Sequence, residues 1–340
     1  MATQPATWTL RDYTPADYPG LAAVHNACYP EYPETADDFD RTDRTREPKV
    51  RWGRYVAEAA GTGEVVGWAR WANSSHAFHP RKFWLDVAVL PAWRGRGIGA
   101  ALYARLLEAV KPLEPIVLRA ELREDNATGW GFAERRGYRV EYREQESRLD
   151  IAAFAPERFA AELERVRAAG IRLESYAALR ALPDAARRLH ALDDTLSRDV
   201  PGSDPPTDSS FETWSQRILE NPRFLPGLNL IAVDGEGDDA PWVGLSNLWK
   251  DELEGRVTTG LTGVLRSHRK RGIATALKVT VLAAAKAAGH GETITWNAES
   301  NRGMLGINGR LGFVKTPAWM MIENVLDAAA LAAASGKEAP

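Results

Sequence analysis

The order of apolar and polar positions predicts the same strand, loop and helix in both halves of the chain. Residues 83–90 form a short run of β-branched and apolar side chains, which is typical of a buried strand. After a glycine-containing loop, Ile98, Leu102 and Leu106 fall at helical spacing and predict an amphipathic helix. The second half repeats this order, with a strand predicted at 257–265 and a helix at 273–288.

Shorter patterned segments complete each half. Two hairpins are predicted around Gly61-Thr62-Gly63 and around the 235–239 segment, because glycine-rich turns there separate apolar runs. A charged amphipathic helix at 155–169, ended by Gly170, is expected to connect the halves. The remaining predicted strands are 8–13, 54–59, 64–70, 116–121, 138–149, 171–176, 230–233, 242–246 and 293–297, and the remaining helices are 17–27, 126–136 and 304–310.

One motif occurs twice at a constant separation of 175 residues. The segment from Arg94 to Gly99 reads Arg-Gly-Arg-Gly-Ile-Gly, and its counterpart from Arg269 to Ala274 reads Arg-Lys-Arg-Gly-Ile-Ala. The same separation relates Val89 to Val264, Asn126 to Asn301 and Gly137 to Gly312. A separation kept across this many positions indicates a duplicated domain. We therefore predict a domain at 1–150, a connecting helix at 151–170, a second domain at 171–327 and a flexible tail at 328–340.

Composition limits the classes of function. Apolar residues make up 44% of the chain and charged residues 26%, as in ordinary globular proteins. The formal net charge of −3 does not favour nucleic-acid or membrane partners. Cys28 is the one cysteine, which excludes an internal disulfide and predicts a cytosolic protein. The histidines and the cysteine show no ligand spacing, so no metal is expected.

The repeated loop lies between a strand and a helix, which is where a chain offers backbone N–H groups to a phosphate. Neither copy has the Gly-Lys-Ser/Thr ending of a kinase-type P-loop. The first copy formally fits a dinucleotide fingerprint, Gly-x-Gly-x-x-Ala, but the second copy has Lys270 and Thr275 at the outer positions. What both copies share is Arg-x-x-Gly-x-Gly/Ala directly after a strand.

With these residues the chain resembles the GNAT superfamily of N-acyltransferases. That family combines this loop with an Asn-led helix some thirty residues later and a Gly-aromatic pair, here Asn126 with Gly137-Tyr138, and Asn301 with Gly312-Phe313. The resemblance covers 8–149 and 171–326, and the 295–308 segment looks like bacterial tandem GNAT proteins, a group that includes mycothiol synthase. It implies an α/β fold with two tandem domains, each a mixed, mostly antiparallel twisted sheet flanked by helices.

The resemblance also implies a cofactor and its site. Acetyl-CoA, or another acyl-CoA, is expected in one or both domains, with its pantetheine arm along the strand before the loop and its pyrophosphate on the loop. A small-molecule amine is the expected acceptor, in a monomer or homodimer, although a basic peptide stays possible. The cofactor-binding residues so implied are Val87, Val89, Arg94, Gly95, Arg96, Gly97, Ile98, Gly99 and Asn126, and Thr262, Val264, Arg269, Lys270, Arg271, Gly272, Ile273, Ala274 and Asn301.

Catalytic groups are harder to choose. An amine acceptor needs a base, and the candidate carboxylates are Asp86, Glu124, Glu299 and Glu323, the last on what is predicted as the final strand of the second copy. The family commonly has a Tyr four residues before the Gly-aromatic pair, to protonate the leaving thiolate. Here those positions hold Ala133 and Asn308, so Asn308 is only a candidate hydrogen-bond donor.

Three alternatives stay open. The leading hypothesis is an acyl-CoA-dependent N-acetyltransferase in which the amine attacks the thioester directly. It includes an enzyme with one active copy and one scaffold copy, with the C-terminal copy slightly favoured for its Asn297, Asn301 and Asn308 set. A non-catalytic acyl-CoA-binding or regulatory protein is the second alternative, because both Tyr are missing. An NAD-type oxidoreductase is the third. The irregular segments 28–50 and 197–228 are expected to form the acceptor pocket.

Overall fold

The computed structural model describes residues 7–335, and each predicted strand and helix has a counterpart in it. The strands are β1 Trp8–Asp12, β2 Trp52–Ala59, β3 Val65–Ala72, β4 Lys82–Val89, β5 Val117–Arg123, β6 Arg139–Asp150, β7 Ile171–Ser175, β8 Phe224–Asp234, β9 Trp242–Lys250, β10 Arg256–Val264, β11 Glu292–Ala298, β12 Val314–Lys315 and β13 Trp319–Val325. The α-helices are α1 Tyr18–Cys28, α2 Ala36–Arg44, α3 Ile98–Val110, α4 Ala127–Glu134, α5 Ala160–Ala168, α6 Tyr176–Leu179, α7 Ala185–Ser197, α8 Phe211–Arg217, α9 Ile273–Ala287, α10 Arg302–Leu311 and α11 Ala328–Ser335.

Contacts between Cα atoms divide the chain into two compact units, and the first is discontinuous in sequence. It comprises residues 1–141 together with 320–340. Its strands follow the order β1-β2-β3-β4-β5-β13, with antiparallel pairs from β1 to β4 and a parallel pair between β4 and β5. Helices α1 and α2 pack on one face through Leu21, Val24 and Phe39. Helix α3 covers the other face, where Ile98 and Leu102 approach Gly67.

The second unit comprises residues 142–319. Its strand order is β6-β11-β10-β9-β8-β7, with β12 paired to β6. Here too the one parallel pair is the middle one, β10 with β11. Helix α9 packs on one face with the connecting helix α5, while α6, α7 and α8 pack on the other. Both units therefore have the mixed, mostly antiparallel sheet flanked by helices that the sequence predicted, so this fold class is confirmed.

The units do not divide where the domain boundaries were predicted. From Tyr142 onward, β6 belongs to the second unit, where it pairs with β11. From Met320 onward, β13 belongs to the first unit, beside β5. Each sheet is thus completed by the strand that follows the other copy in sequence. The reason is invisible to a repeat analysis, because the two strands occupy equivalent positions and either pairing satisfies the pattern.

Three further differences concern helices and the tail. The sequence analysis did not predict α7, although its buried Leu189, Leu192 and Leu196 pack against β9 and β10. Of the predicted flexible tail, Ala328–Ser335 forms α11, and residues 336–340 lie outside the described part of the chain. No helix within residues 7–335 has the length and apolar character needed to cross a membrane.

Candidate acyl-CoA site

In the first unit, β4 and β5 separate beside the loop that follows β4. The two strands pair only over Lys82, Phe83 and Trp84. Beyond Trp84, β4 remains paired with β3 as far as Val89, while its β5 side faces a cavity of about 400 Å³. The strand edge from Val87 to Val89 thus lines an opening in the sheet, and its backbone groups are available to an extended ligand.

The loop from Arg94 to Gly99 closes the same cavity at the start of α3. Gly95 and Gly97 have left-handed φ angles of 77° and 82°, which glycine adopts without steric cost. No atom lies within 4 Å of where a Cβ would stand at either glycine. No side chain caps α3 at Gly97, so the N–H groups of its first turn are available to an anion.

Cations and an Asn-capped helix form the rest of the wall. Arg94 donates through Nε to the carbonyl of Val89 at 3.1 Å, which braces the loop against the end of β4. The side chain of Asn126 accepts from the N–H of Gly129 at 2.9 Å and so caps α4. The cavity is lined by Cys28, Tyr29, Val87, Ala88, Val89, Trp93, Arg94, Gly95, Gly97, Ile98, Gly99, Ala100, Asn126, Thr128, Gly129, Phe132, Arg135 and Arg136.

The second unit repeats the backbone geometry. Strands β10 and β11 pair only over Arg256, Val257 and Thr258 before they separate. Arg269 donates to the carbonyl of Val264 at 3.1 Å, as Arg94 does to Val89. Lys270 has a left-handed φ of 63° and Gly272 one of 83°. Lys270 thus adopts the conformation of Gly95 at some cost in strain, and the loop keeps its shape without its first glycine.

The surroundings of the second loop differ from those of the first. The Asp199 carboxylate contacts the guanidinium of Arg269 and also accepts from Arg266 at 2.5 Å. Hydrogen bonds from Arg266, with the positive charges of both arginines, hold the pKa of Asp199 below its usual value. A protein carboxylate therefore already neutralises the arginine that corresponds to Arg94.

The connecting helix α5 lies against the same loop. Val166 Cγ2 would be 3.6 Å from a Cβ at Gly272, whereas the space at Gly97 is open. Glu162 forms an ion pair with Arg310 at 3.1 Å, and the carbonyl of Ala169 accepts from Arg271 at 3.5 Å. Arg310 and Gly272 correspond to Arg135 and Gly97, which line the cavity of the first unit. Side chains of this chain thus occupy positions that are open in the first copy.

Residues 18–138 match the model of the acetyltransferase (GNAT) family. The N-terminal unit belongs to that family. Over the whole chain, a tandem GNAT protein from the clavulanic acid biosynthesis pathway is similar with a TM-score of 0.70 and 19% identity, covering 94% of this chain and 98% of that one. A GCN5-related N-acetyltransferase from Sphaerobacter thermophilus gives 0.63 and 22%, covering 95% and 97%.

A third solved structure is the GCN5-related glucosamine N-acetyltransferase region of a fungal multi-domain GH3 β-N-acetylglucosaminidase. It has a TM-score of 0.68 and 16% identity, and the match covers 94% of this chain and 38% of that one. No curated protein matches the chain. These likenesses establish the tandem GNAT fold of the whole chain, and the family to which the first unit belongs is one of acetyltransferases.

The structure brings the predicted cofactor residues of the first GNAT unit together, with two qualifications. Val87, Val89, Arg94, Gly95, Gly97, Ile98, Gly99 and Asn126 all line the cavity. Arg96 lies outside that lining, with its guanidinium 4.7 Å from the centre of the Trp93 ring. Asn126 and Asn301 both serve as helix N-caps. The first unit fits an acyl-CoA, because open glycines, an uncapped helix start and three arginines surround one cavity.

The catalytic candidates are scattered over both GNAT units. Asp86 accepts from Nε of Arg70 at 2.9 Å, at the edge of the cavity. Glu299 is an exposed side chain 3.8 Å from Arg143, and Glu124 is also exposed, with its backbone carbonyl bonded to Trp130. Asn308 is buried and donates to Asn297 at 2.7 Å. Of these four candidates, Asp86 alone adjoins the cavity of the first unit.

Glu323 is placed differently from its prediction. It was expected on the final strand of the second copy, but β13 completes the first sheet, where Glu323 lies 3.6 Å from Arg119. Sequence analysis also missed Tyr29 and Arg70. Burial, with the negative charge of Asp86 as the next contribution, raises the pKa of Tyr29 to about 12. A regular spacing was the available signal, because Arg54, Arg70 and Asp86 are sixteen residues apart.

Proposed function

We propose that the N-terminal GNAT unit is an acyl-CoA-dependent N-acetyltransferase that acts on the primary amine of a small molecule. The observation that carries this proposal is the convergence of three features on one cavity. These are the free edge of β4 beyond Trp84, the open loop with Gly95 and Gly97, and the uncapped start of α3. The family match to residues 18–138 supports it independently.

The loop and strand would divide the cofactor between them. N–H groups from Gly97 to Gly99 and the Arg94 guanidinium would bind the pyrophosphate. The edge from Val87 to Val89 would pair with the pantetheine arm, and an N–H there would polarise the acyl carbonyl oxygen. Bound acetyl-CoA supplies an activated acyl group as a thioester. The acceptor amine forms a C–N bond with that acyl carbon as the C–S bond breaks, and coenzyme A leaves as the thiol.

Asp86 and Tyr29 are placed to handle the protons. The acceptor ammonium must lose a proton before it can attack, and the Asp86 carboxylate at the acyl end of β4 would accept it, directly or through water. The Tyr29 phenol is protonated at neutral pH because its pKa is raised to about 12. It would donate a hydrogen bond to the departing sulfur, while solvent supplies the proton that completes the thiol.

We further propose that the second unit is the scaffold copy, which reverses the slight preference of the sequence analysis for the C-terminal copy. That preference rested on the asparagines around α10, and Asn301 caps the helix while Asn308 bonds to Asn297. The packing around Gly272 and the contact of Asp199 with Arg269 support closure of the second loop. Binding of a pyrophosphate there would require α5 to move and Asp199 to be displaced.

Thiol release from acetyl-CoA in the presence of a panel of primary amines tests the proposed activity. We expect at least one amine to release thiol and gain an acetyl group, detected by mass. Asp86→Asn should lower kcat at least about tenfold, in the range of general-base contributions. Glu108→Gln, on the outer side of α3 with a 72% exposed side chain, should behave like wild type. Equal rates for all three proteins would contradict the role of Asp86.

A non-catalytic acyl-CoA-binding protein is the second candidate. The observation that favours it is Ala133, which stands where the family commonly has its Tyr and is buried in α4. Saturable binding of acetyl-CoA with no acetylated product from any amine would support this candidate over the enzyme.

A further inference from the structure

A row of charged side chains crosses the sheet of the first unit below the acyl end of the cavity. Arg54 on β2 pairs in register with Arg70 on β3, and Arg70 pairs with Asp86 on β4. Side chains at paired positions lie on the same face of a sheet. Asp86 lies two residues before Ala88, which is buried against side chains of α1 and α2. The row therefore faces α1, α2 and the 29–35 segment, where the acceptor pocket was predicted.

The two arginines of this row are used differently. Arg54 forms bonds of 2.7 and 3.1 Å with Asp43 on α2, and its side chain is fully buried. It ties the sheet to α2 and is closed to ligands. Arg70 bonds to Asp86 at 2.9 and 2.5 Å, yet these two side chains keep 31% and 34% of their exposure. The Arg70–Asp86 pair is therefore within reach of a small molecule in the cleft.

The pair lies next to the proposed acyl position. Asp86 directly precedes Val87, which lines the cavity together with Tyr29. The carboxylates of Asp86 and Glu121 both contribute to the raised pKa of Tyr29, after burial. This places the two acids around the phenol, at the end of the cavity where the strands separate.

A second guanidinium adds positive charge at the Arg70 end. The pKa of Arg46 is lowered mainly by burial, with the positive charge of Arg70 also contributing. Asp43 binds Arg46 at 2.9 Å. Nε of Arg46 is buried without a hydrogen-bond partner in the described structure. The cleft is thus positive near Arg70 and Arg46 and negative near Asp86 and Glu121.

The second unit has no such charge separation at the equivalent positions. There, Asn229 on β8 pairs with Asn247 on β9. Opposite Asn247, β10 has a bulge that contains Gly260. A Cβ at Gly260 would lie 2.3 Å from Asn247 Oδ1, so no side chain fits where the first unit has Asp86. Two neutral amides replace the two arginines, and the charged row is specific to the first unit.

We propose that the acceptor is a small amino carboxylate, with its carboxylate bound by Arg70 and its amine received by Asp86. This inference rests on the proposed function of the first unit. A partly exposed ion pair contributes about 0–1 kcal/mol, so its exchange for a ligand of opposite polarity costs little. The planar guanidinium matches a carboxylate with two parallel hydrogen bonds. The amine then lies beside Asp86, next to the edge that would hold the thioester.

The test compares matched acceptors on the wild-type protein. The panel contains the standard amino acids, their carboxamides and the corresponding amines without the carboxylate, with acetyl-CoA and thiol release as readout. We expect the best free amino acid to exceed its carboxamide by at least about tenfold in kcat/KM, the factor that corresponds to 1.4 kcal/mol. Turnover that ignores the carboxylate, or that favours the carboxamide, would overturn the inference and leave the acetyltransferase proposal standing.

Variants of Arg70 separate a substrate contact from a structural role. Arg70→Gln should raise KM for the amino acid at least tenfold and bring the carboxamide and the amino acid to similar kcat/KM values. Arg70→Lys should restore part of the preference, because charge is kept and the bidentate geometry is lost. Arg11→Gln is the matched control, since Arg11 forms a 2.7 Å pair with Glu58 at 36% and 30% exposure. It should keep the preference for the carboxylate.

The outcomes also distinguish the two levels of the argument. If no amine in the panel releases thiol and acetyl-CoA does not bind, the acetyltransferase proposal fails, and this inference fails with it. If Arg70→Gln lowers the melting temperature but keeps the preference for the carboxylate, the ion pair is structural and the inference alone fails.

Discussion

In the second unit, the carboxylate of Asp199 contacts the guanidinium of Arg269. Arg94, the counterpart of Arg269, lines an open cavity and has the thiol of Cys28 at 3.6 Å instead of a carboxylate. Two loops of the same backbone shape thus differ in the availability of their arginine. This difference between the copies underlies the assignment of cofactor binding to the first unit.

Asp199→Asn should destabilise the second unit by about 1 kcal/mol at pH 7, the range of a charge-assisted hydrogen bond. The pKa of Asp199 is lowered in the folded protein, so its stabilising effect is present above the unfolded pKa. It is lost as pH falls through the lower folded pKa. Urea unfolding at pH 7 and pH 3 measures this. A difference between variant and wild type that is as large at pH 3 as at pH 7 would rule out the ionic contribution.

Glu146 should be a major stabilising residue of the second unit. Its fully buried carboxylate accepts from the indole N–H groups of Trp296 and Trp319 at 3.1 and 3.0 Å, and from the Thr316 hydroxyl at 2.8 Å. Glu146→Gln replaces an acceptor with a donor and should cost about 2–4 kcal/mol in the free energy of unfolding.

Glu144→Gln is the control on the same strand. Burial raises the pKa of Glu144, so a neutral amide at that position should cost little. Equal melting temperatures for the two variants would show that the indole bonds to Glu146 contribute nothing measurable.

The first unit should depend on its C-terminal strand. Met321 and Ile322 on β13 are almost fully buried, Asn324 donates to the carbonyl of Arg136 at 2.9 Å, and Glu323 pairs with Arg119. A fragment of residues 1–150 lacks β13 and should show no cooperative thermal transition by circular dichroism. Deletion of 328–340 alone should preserve the transition. A cooperatively folded 1–150 fragment would show that β13 is dispensable.

Lys278 should destabilise the second unit at neutral pH. It is buried in α9, where burial lowers its pKa to about 8, and its ammonium lies 5.2 Å from the centre of the Phe313 ring. Because the lysine of the unfolded chain titrates near 10.4, the penalty is full below pH 8. It disappears as pH rises from about 8 to 10.5, so wild-type stability should rise over that interval.

Lys278→Met should therefore stabilise the protein by about 2–4 kcal/mol at pH 7, since each pKa unit corresponds to 1.36 kcal/mol. The gain should shrink toward pH 10. Lys286→Met on the same helix is the control, because its Nζ donates to the Phe154 carbonyl at 2.7 Å and its loss should destabilise. A pH-independent gain in Lys278→Met would refute the titration argument and leave better packing as the cause.

The fold class and the repeated loop could be predicted because they depend on local patterns. Apolar spacing specified α3 and α9 to within one residue, and the constant separation of Arg94 and Arg269 specified the duplication. The exchange of β6 and β13 between the sheets could not be predicted. Its pattern of buried and exposed positions is the same whichever sheet each strand joins, so only tertiary pairing decides it.

The site was predicted in part for the same reason. Glycines and the Asn caps have local signatures, and they lie where expected. The closure of the second loop depends on Asp199 and Val166, which lie 70 and 106 residues from Arg269 and Gly272. The Arg70–Asp86 pair depends on strand register. Contacts of this kind are set by tertiary structure, and a repeat analysis treats both copies as equal.

Calorimetric titration of acetyl-CoA into wild type, Arg96→Glu and Arg271→Glu tests the assignment of the site most directly. These two arginines are exposed counterparts, one on each loop. The account predicts one site in wild type, at least tenfold weaker binding in Arg96→Glu because a carboxylate then repels the pyrophosphate, and unchanged binding in Arg271→Glu. Two sites in wild type, or weakening by Arg271→Glu alone, would contradict it.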